Sequence, residues 1–203
     1  MNHFRSKIAP LAAAALLVVC GYAAPLSAAS DADEFNRWYA GVGVGASDVA
    51  LNEPNLSTTY AGAPGASFRQ GGNTFRMFGG YRFDPLLKME LGITSFGEVV
   101  MDATAGQRNL FTSDSGYLSA LISRPISKNI DIQARLGMSF WTLYDKDDNT
   151  IESGQGLLYG AGLDINLYGE KERTLLLEWE HYNFSGVALE EADAFNASIK
   201  FSF

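Results

Sequence analysis

The sequence predicts an all-β protein, an eight-stranded antiparallel up-and-down barrel that crosses a membrane. Three observations lead there. Apolar and polar residues alternate with period two in eight separate segments, which marks extended strands with one oily face and one polar face. The connections between those segments alternate short and long. The first residues have the make-up of an export leader, while no later stretch is long and apolar enough for a spanning helix.

The leader comes first in the chain. Arg5 and Lys7 give a positive start, residues 8–24 are rich in Ala, Leu and Val, and Ser27, Ala28 and Ala29 supply small residues for cleavage. Ser30 is then the first mature residue, so 1–29 reads as a signal peptide and 30–203 as the barrel domain. A membrane-anchoring helix is the rival reading; Pro10 and Pro25 bracket the apolar run and shorten it. The single cysteine, Cys20, has Leu17 before it and Gly21 after it, as a lipidation site requires, but Val19 stands where a small residue belongs. Cleavage after Ala29 leaves no cysteine, which excludes disulfides, thiol catalysis and thiolate metal sites. Losing Arg5 and Lys7 takes the net charge from −8 to −10. Such an acidic chain is a poor match for nucleic acid, which needs a basic face.

The eight segments are 37–46, 74–83, 87–96, 116–123, 130–141, 157–167, 174–180 and 194–203. Asp84-Pro85, Pro125 and Gly169 supply turn chemistry in the short connections. The long connections, 47–73, 97–115, 142–156 and 181–193, are rich in Gly, Asn, Ser and Asp and hold 12 acids against three bases. Short turns at one end and long acidic loops at the other fit a bacterial outer-membrane barrel.

Charge separates the two faces. One face runs from Trp38, Val42 and Val44 through Leu118, Leu136 and Leu163 to Phe195, Ile199 and the terminal Phe201 and Phe203. None of its 36 positions is charged, against about seven expected from a chain that is 19% charged; a charge facing mid-bilayer costs about 2–4 kcal/mol. The other face holds Arg76, Arg82, Lys88, Arg135 and Lys200 with Glu90, Asp131, Asp164, Glu178 and Glu180. Five positives meet five negatives, as a narrow lumen requires, because an unpaired charge in a confined site is costly. Gly41, Gly43, Gly45, Gly80, Gly92, Gly137, Gly160 and Gly162 share that face and are expected to leave room for long side chains. Trp38, Tyr39, Trp141, Tyr144, Trp179, Tyr182 and Phe184 lie near strand ends and are expected to form an interfacial girdle.

Four stretches carry a family resemblance. They are Trp38-Tyr39-Ala40-Gly41; Phe78-Gly79-Gly80-Tyr81-Arg82-Phe83-Asp84-Pro85, running on to Glu90-Leu91-Gly92; Arg124-Pro125-Ile126, followed by the segment from Ile130 to Gly137; and Leu177-Glu178-Trp179. In order and spacing, 37–203 resembles the membrane-embedded part of the OmpA-type outer-membrane proteins of Gram-negative bacteria. The resemblance implies location in the cell outer membrane among lipids and lipopolysaccharide. It also implies a terminal aromatic strand, here ending on Phe201 and Phe203, that is read by the barrel-insertion machinery. In the family a charged interior network is linked to a narrow pore. Glu90, Arg135 and Glu178 match that network and Asp164 replaces a Glu, but Leu121 and Leu176 stand where two basic partners belong. Arg76 and Lys88 are candidates to replace those partners around Glu90. The peptidoglycan-binding domain of larger members is not expected.

Three sharper signals compete with bland ones. Gly41, Gly43 and Ala46 imitate a dinucleotide fingerprint but lack the helix it needs, so no cofactor is expected. Asp145, Asp147 and Asn149 imitate the start of a calcium loop, but Thr150 replaces its Gly and Gly156 its bidentate Glu, so no metal site is expected. Bridging divalent ions could still relieve repulsion between acidic loops and lipopolysaccharide phosphates. His181 and Ser185, with Glu190 or Glu191, hint at a lipid hydrolase, yet Asn183 stands where the small-barrel hydrolases carry their Ser. The expected protein is therefore not an enzyme. It is a barrel with a structural or interaction role, displaying four acidic loops to an unknown extracellular ligand. A narrow porin-like channel is the alternative, and a lipid hydrolase a more distant one.

Overall fold

The structure, a computed structural model, describes residues 37–51, 67–69, 72–102, 108–145, 147, 149–167, 173–186 and 189–203. The leader, with its cleavage residues Ala29 and Ser30, and the Gly169 turn lie outside the described residues. Among the described residues nine strands form one sheet: β1 Arg37–Leu51, β2 Ser67–Arg69, β3 Gly72–Arg82, β4 Leu87–Asp102, β5 Arg108–Pro125, β6 Ile130–Asp145, β7 Thr150–Asn166, β8 Arg173–Asn183 and β9 Leu189–Ser202. Every pairing is antiparallel, and the β4–β5 ladder joins the two ends of the strand order. Eight long strands thus close into a barrel, and the short β2 is an extra rung on the upper part of β4. Closure leaves the long strands no open edge, which a bilayer would not tolerate.

The seam joins first strand to last. Val42 pairs with Ile199 and Val44 with Ala197, and the Phe203 amide donates to the Trp38 carbonyl at 2.9 Å. At the short-turn end, the Asp84 carboxylate accepts the amides of Leu86 and Leu87, both at 2.7 Å, so this side chain shapes the β3–β4 turn.

Outward-facing residues form the apolar belt. Val44, Ile122, Leu136 and Phe195 are each at least 60% exposed, as lipid contact demands. Followed toward the long-loop end, the outward series of each strand turns polar at one step. Ala46 gives way to Asp48 on β1, Ile93 to Ser95 on β4, Gly116 to Asp114 on β5, Phe140 to Thr142 on β6 and Phe195 to Asp193 on β9. A polar rim therefore caps the belt.

One expectation changes here. Three of the four long connections, 97–115, 142–156 and 181–193, are largely strand. β5 has 18 residues and β7 has 17, where about 9–11 suffice to cross a bilayer. The excess raises the sheet roughly 20 Å along the strands beyond the belt. What reads in sequence as a 15-residue loop, 142–156, is mostly the β6–β7 hairpin, closed by the Asp145 amide donating to the Asn149 carbonyl at 3.0 Å. Polar composition hides these strands because above the bilayer neither face must be apolar. One irregularity adjusts the register: between Ser95 and Glu98 the β4–β5 ladder shifts, and Gly97 adopts φ 77°, which favours glycine.

A charge on the belt tests the orientation. Leu136→Arg is expected to destabilise the barrel by about 2–4 kcal/mol, read as a lowered urea midpoint for refolding into lipid vesicles. Gln155→Arg, above the belt on β7, is expected to leave the midpoint nearly unchanged.

Candidate functional site

Among the described residues eight charged side chains are buried inside the barrel: Arg76, Lys88, Glu90, Arg135, Asp164, Glu178, Glu180 and Lys200. Strand periodicity places them there, since every second residue of a closed sheet faces the axis. They form two groups. In the upper group the Arg76 guanidinium contacts Glu90, Glu178 and Glu180. The Arg135 Nη2 lies 2.8 Å from both Glu90 Oε1 and Glu178 Oε1, and its Nη1 lies 2.9 Å from Glu180 Oε1. Tyr117 threads this group, accepting from Arg76 Nε at 2.8 Å and donating to Glu90 at 2.9 Å. Both guanidinium groups lie 5.3 Å from its ring centroid, a cation–π distance.

In the lower group the Asp164 carboxylate sits between two ammonium groups. Lys88 Nζ and Lys200 Nζ each lie 2.7 Å from it. Lys200 also lies 5.4 Å from the Tyr39 ring centroid. Three glutamates face two arginines above, and two lysines face one aspartate below. Each group alone is unbalanced by one charge; together the four positives and four negatives cancel. Gln133 joins them, its Nε2 donating to Glu178 at 2.7 Å and its Oε1 accepting from Lys88 at 3.4 Å. Glu180, the surplus acid, also accepts from Tyr182 and Asn196, both at 3.1 Å.

Arg76 thus takes up Glu90, but Lys88 reaches Asp164 instead. Arg82 and Asp131 share the inward register yet are only half-buried near the short-turn end, outside the eight-residue network. Leu121 and Leu176, both 1% exposed, fill inward positions where the resemblance places basic residues. Tyr117, Gln133 and Asn196 are network members that a tally of charges misses. Their inward parity was the available signal.

The aromatic expectation is corrected. Trp38 and Trp179 face outward, but Tyr39, Trp141, Tyr182 and Phe184 are buried inside. Above the charges, Phe96, Trp141, Tyr182 and Phe184 pack ring against ring, with Phe96 and Tyr182 4.9 Å apart between centroids. The Trp141 indole donates to the Phe184 carbonyl at 2.8 Å. With Val49, Phe111, Leu143 and Leu158 these rings plug the upper lumen. Parity decides this: 141, 182 and 184 fall on the inward phase, and a wide enough rim lets large rings fill it. The inward glycines are likewise occupied. A Cβ on Gly41 would strike the Phe78 ring, one on Gly80 the Tyr39 ring, and one on Gly92 the Tyr117 hydroxyl, each at 2.5 Å or less. Aromatic rings lie over these glycines and take the space expected for charged side chains.

The sharper signals resolve by geometry. Gly41, Gly43 and Ala46 lie within β1. The Asp145 carboxylate accepts the amides of Asp147 at 2.9 Å and Asn149 at 2.8 Å, so it caps its own turn. Among the described residues no cluster of three His, Cys, Asp or Glu side chains is arranged to hold a metal ion. His181 faces outward, with Nδ1 3.1 Å from Asp193 and Nε2 3.7 Å from Glu191, while Ser185 donates to Asn183 at 2.9 Å. Ser185 is thus engaged away from the histidine that a hydrolase would need beside it. Phe201 and Phe203 face outward at the short-turn end, 50% and 48% exposed.

Comparison with known proteins places this geometry. The family described as "Outer membrane protein beta-barrel domain" matches residues 11–203. Outer membrane protein A of Klebsiella aerogenes is 29% identical over 174 residues, covering 81% of this chain and 47% of that protein; the chain spans about half the length of that relative. Among solved structures, Neisserial surface protein A has a TM-score of 0.62 at 11% identity, covering 82% of this chain and 97% of that one. OprG of Pseudomonas aeruginosa has a TM-score of 0.55 at 13% identity, covering 83% and 95%. Ail, the attachment invasion locus protein of Yersinia pestis, solved with the heparin analogue sucrose octasulfate, has a TM-score of 0.53 at 14% identity, covering 82% and 99%. At such identities the likeness is one of fold.

Removing one partner of a buried ion pair typically costs about 3–5 kcal/mol. Asp164→Asn leaves two ammonium groups facing each other and is expected to lose that much in equilibrium unfolding. Adding Lys200→Met to Asp164→Asn is expected to recover part of the loss. If the second change worsens stability instead, the lower group is not held by charge cancellation.

Proposed function

This chain belongs to the outer membrane protein beta-barrel family and sits in the bacterial outer membrane, and we propose that it serves there as a closed structural body whose raised rim makes the contacts. The filled axis carries this reading. A balanced ion network and an aromatic plug occupy the lumen one above the other, and an eight-stranded barrel has little interior beyond its side chains. The rim is acidic: Asp48, Glu98, Asp114, Glu190, Glu191 and Asp193 lie on the upper strands. A cationic partner, or lipopolysaccharide phosphates reached through bridging divalent ions, suits such a surface. Ail, by contrast, was solved with a polyanion; this rim would repel one. On this reading residues 1–29 direct export, the terminal strand with Phe203 serves insertion, and the protein has no catalytic role.

A narrow channel is the second reading. Buried hydroxyls of Ser119, Ser139 and Ser198 have no hydrogen-bond partner among the described side chains, and they line the same interior as the arginines. Such atoms favour trapped water. Conduction would require the rings of Trp141, Tyr182 and Phe184 to move aside.

Purified barrel in planar bilayers is expected to give no steady conductance steps. Cells displaying it are expected to adhere several-fold better to polylysine-coated than to heparin-coated surfaces, with the preference lost in an Asp48→Asn, Glu191→Gln, Asp193→Asn variant. Discrete steps that change in Arg135→Ala would overturn the closed-body reading. Equal adhesion to both surfaces would overturn the acidic-rim reading.

A further inference from the structure

The outer wall of the barrel is not smooth. A groove of about 720 Å³ runs across β4, β5, β6 and β7 where the apolar belt meets the polar rim. That volume lies within the roughly 300–1,000 Å³ usual for small-ligand sites. Its centre is Gly116, on the outward series of β5. A Cβ built there meets only the Gly92 carbonyl oxygen, at 3.9 Å, so the missing side chain leaves a notch open to the outside. Below the notch Leu118 and Phe140, 49% and 54% exposed, make an apolar floor. Above it stand Asp114, Thr142 and Gln155. The groove is thus amphiphilic along the membrane normal, oily toward mid-bilayer and polar toward the outer face.

Among the described residues Asp114 is the one charged residue in its lining. Its Oδ1 is buried and has no hydrogen-bond partner among the described residues. The Ser95 hydroxyl, directly across the β4–β5 ladder, hydrogen-bonds to the carboxyl but leaves Oδ1 unmatched. A shielded carboxylate oxygen without a donor is costly, and a charged N–H donor satisfies it best. Glu98, further out on β4, adds charge of the same sign. A head group exposing only phosphate is therefore repelled, and a quaternary ammonium has no N–H to offer.

We propose that this groove seats one outer-leaflet lipid whose head group presents a primary ammonium, with a tail laid over Gly116 onto Leu118 and Phe140 and the ammonium on Asp114. The barrel is then lipid-selective on this wall, independent of what its rim contacts.

The test uses the barrel in phosphatidylcholine nanodiscs doped with an equal small fraction of either phosphatidylethanolamine or phosphatidylglycerol, with bound lipid counted by native mass spectrometry. Wild type is expected to retain one phosphatidylethanolamine, enriched about tenfold over phosphatidylcholine, and to show no enrichment of phosphatidylglycerol. Asp114→Asn is expected to abolish the enrichment. Gly116→Leu, which fills the notch from an outward position, is expected to remove the retained lipid of either kind. Heat-modifiable gel mobility establishes that both variants are folded. Retention of phosphatidylglycerol equal to that of phosphatidylethanolamine, or undiminished enrichment in folded Asp114→Asn, overturns the proposal.

Discussion

Charge neutrality inside a narrow tube is the constraint on which this molecule turns. Arg76 and Arg135 cannot leave water unless carboxylates meet them, and three glutamates do. That surplus of acid is tolerable because Lys88 and Lys200 exceed Asp164 by one charge just below. The Gln133 amide, donor at one end and acceptor at the other, fits between the two imbalances. A residue without net charge thus links the charged groups. No member can be changed without leaving another exposed to a low-dielectric surround, so the network behaves as one unit.

Much of this was legible in the chain. Strict alternation in segments such as 195–203 marks both strand and face, because the pleat has period two and lipid accepts no charge. The eight buried ionic residues all fall on the phase that alternation assigns to the axis. Which acid meets which base was legible only in part: Arg76 was a candidate partner of Glu90 and meets it, but the partner of Lys88 was not legible. Lys88 and Asp164 pair across the lumen from strands that are not neighbours, so no local spacing announces them. The upper barrel was hard to read for a different reason. Above the bilayer the rule that colours one face apolar no longer holds, so strand residues there look like loop. Near such a blurred end, Trp141 and Phe184 look like interfacial anchors although their phase turns them inward.

The two halves of the lumen solve one packing problem by opposite chemistry. Below, long ionic side chains fill the space, and aromatic rings lie over inward glycines. Above, where Phe96 meets Tyr182 and Phe184 edge to face, apolar rings exclude water without needing partners. Thr94 and Tyr182, 3.1 Å apart, with Tyr182 donating onward to Glu180, mark the changeover. Ions arriving from outside would pass the acidic rim and then meet a greasy lid before reaching the buried charges.

The seam between β1 and β9 has a temporal consequence. Tyr39 pairs with Ser202, roughly 160 positions away, and the ring of ladders is incomplete until that contact forms. Each hairpin can zip locally, but the two outermost strands stay half-satisfied while they wait for each other. Assembly is therefore a cyclisation, slow in proportion to the chain entropy it must surrender. Until the circle shuts, the nascent sheet is an adhesive ribbon that any other extended chain in the envelope could cap.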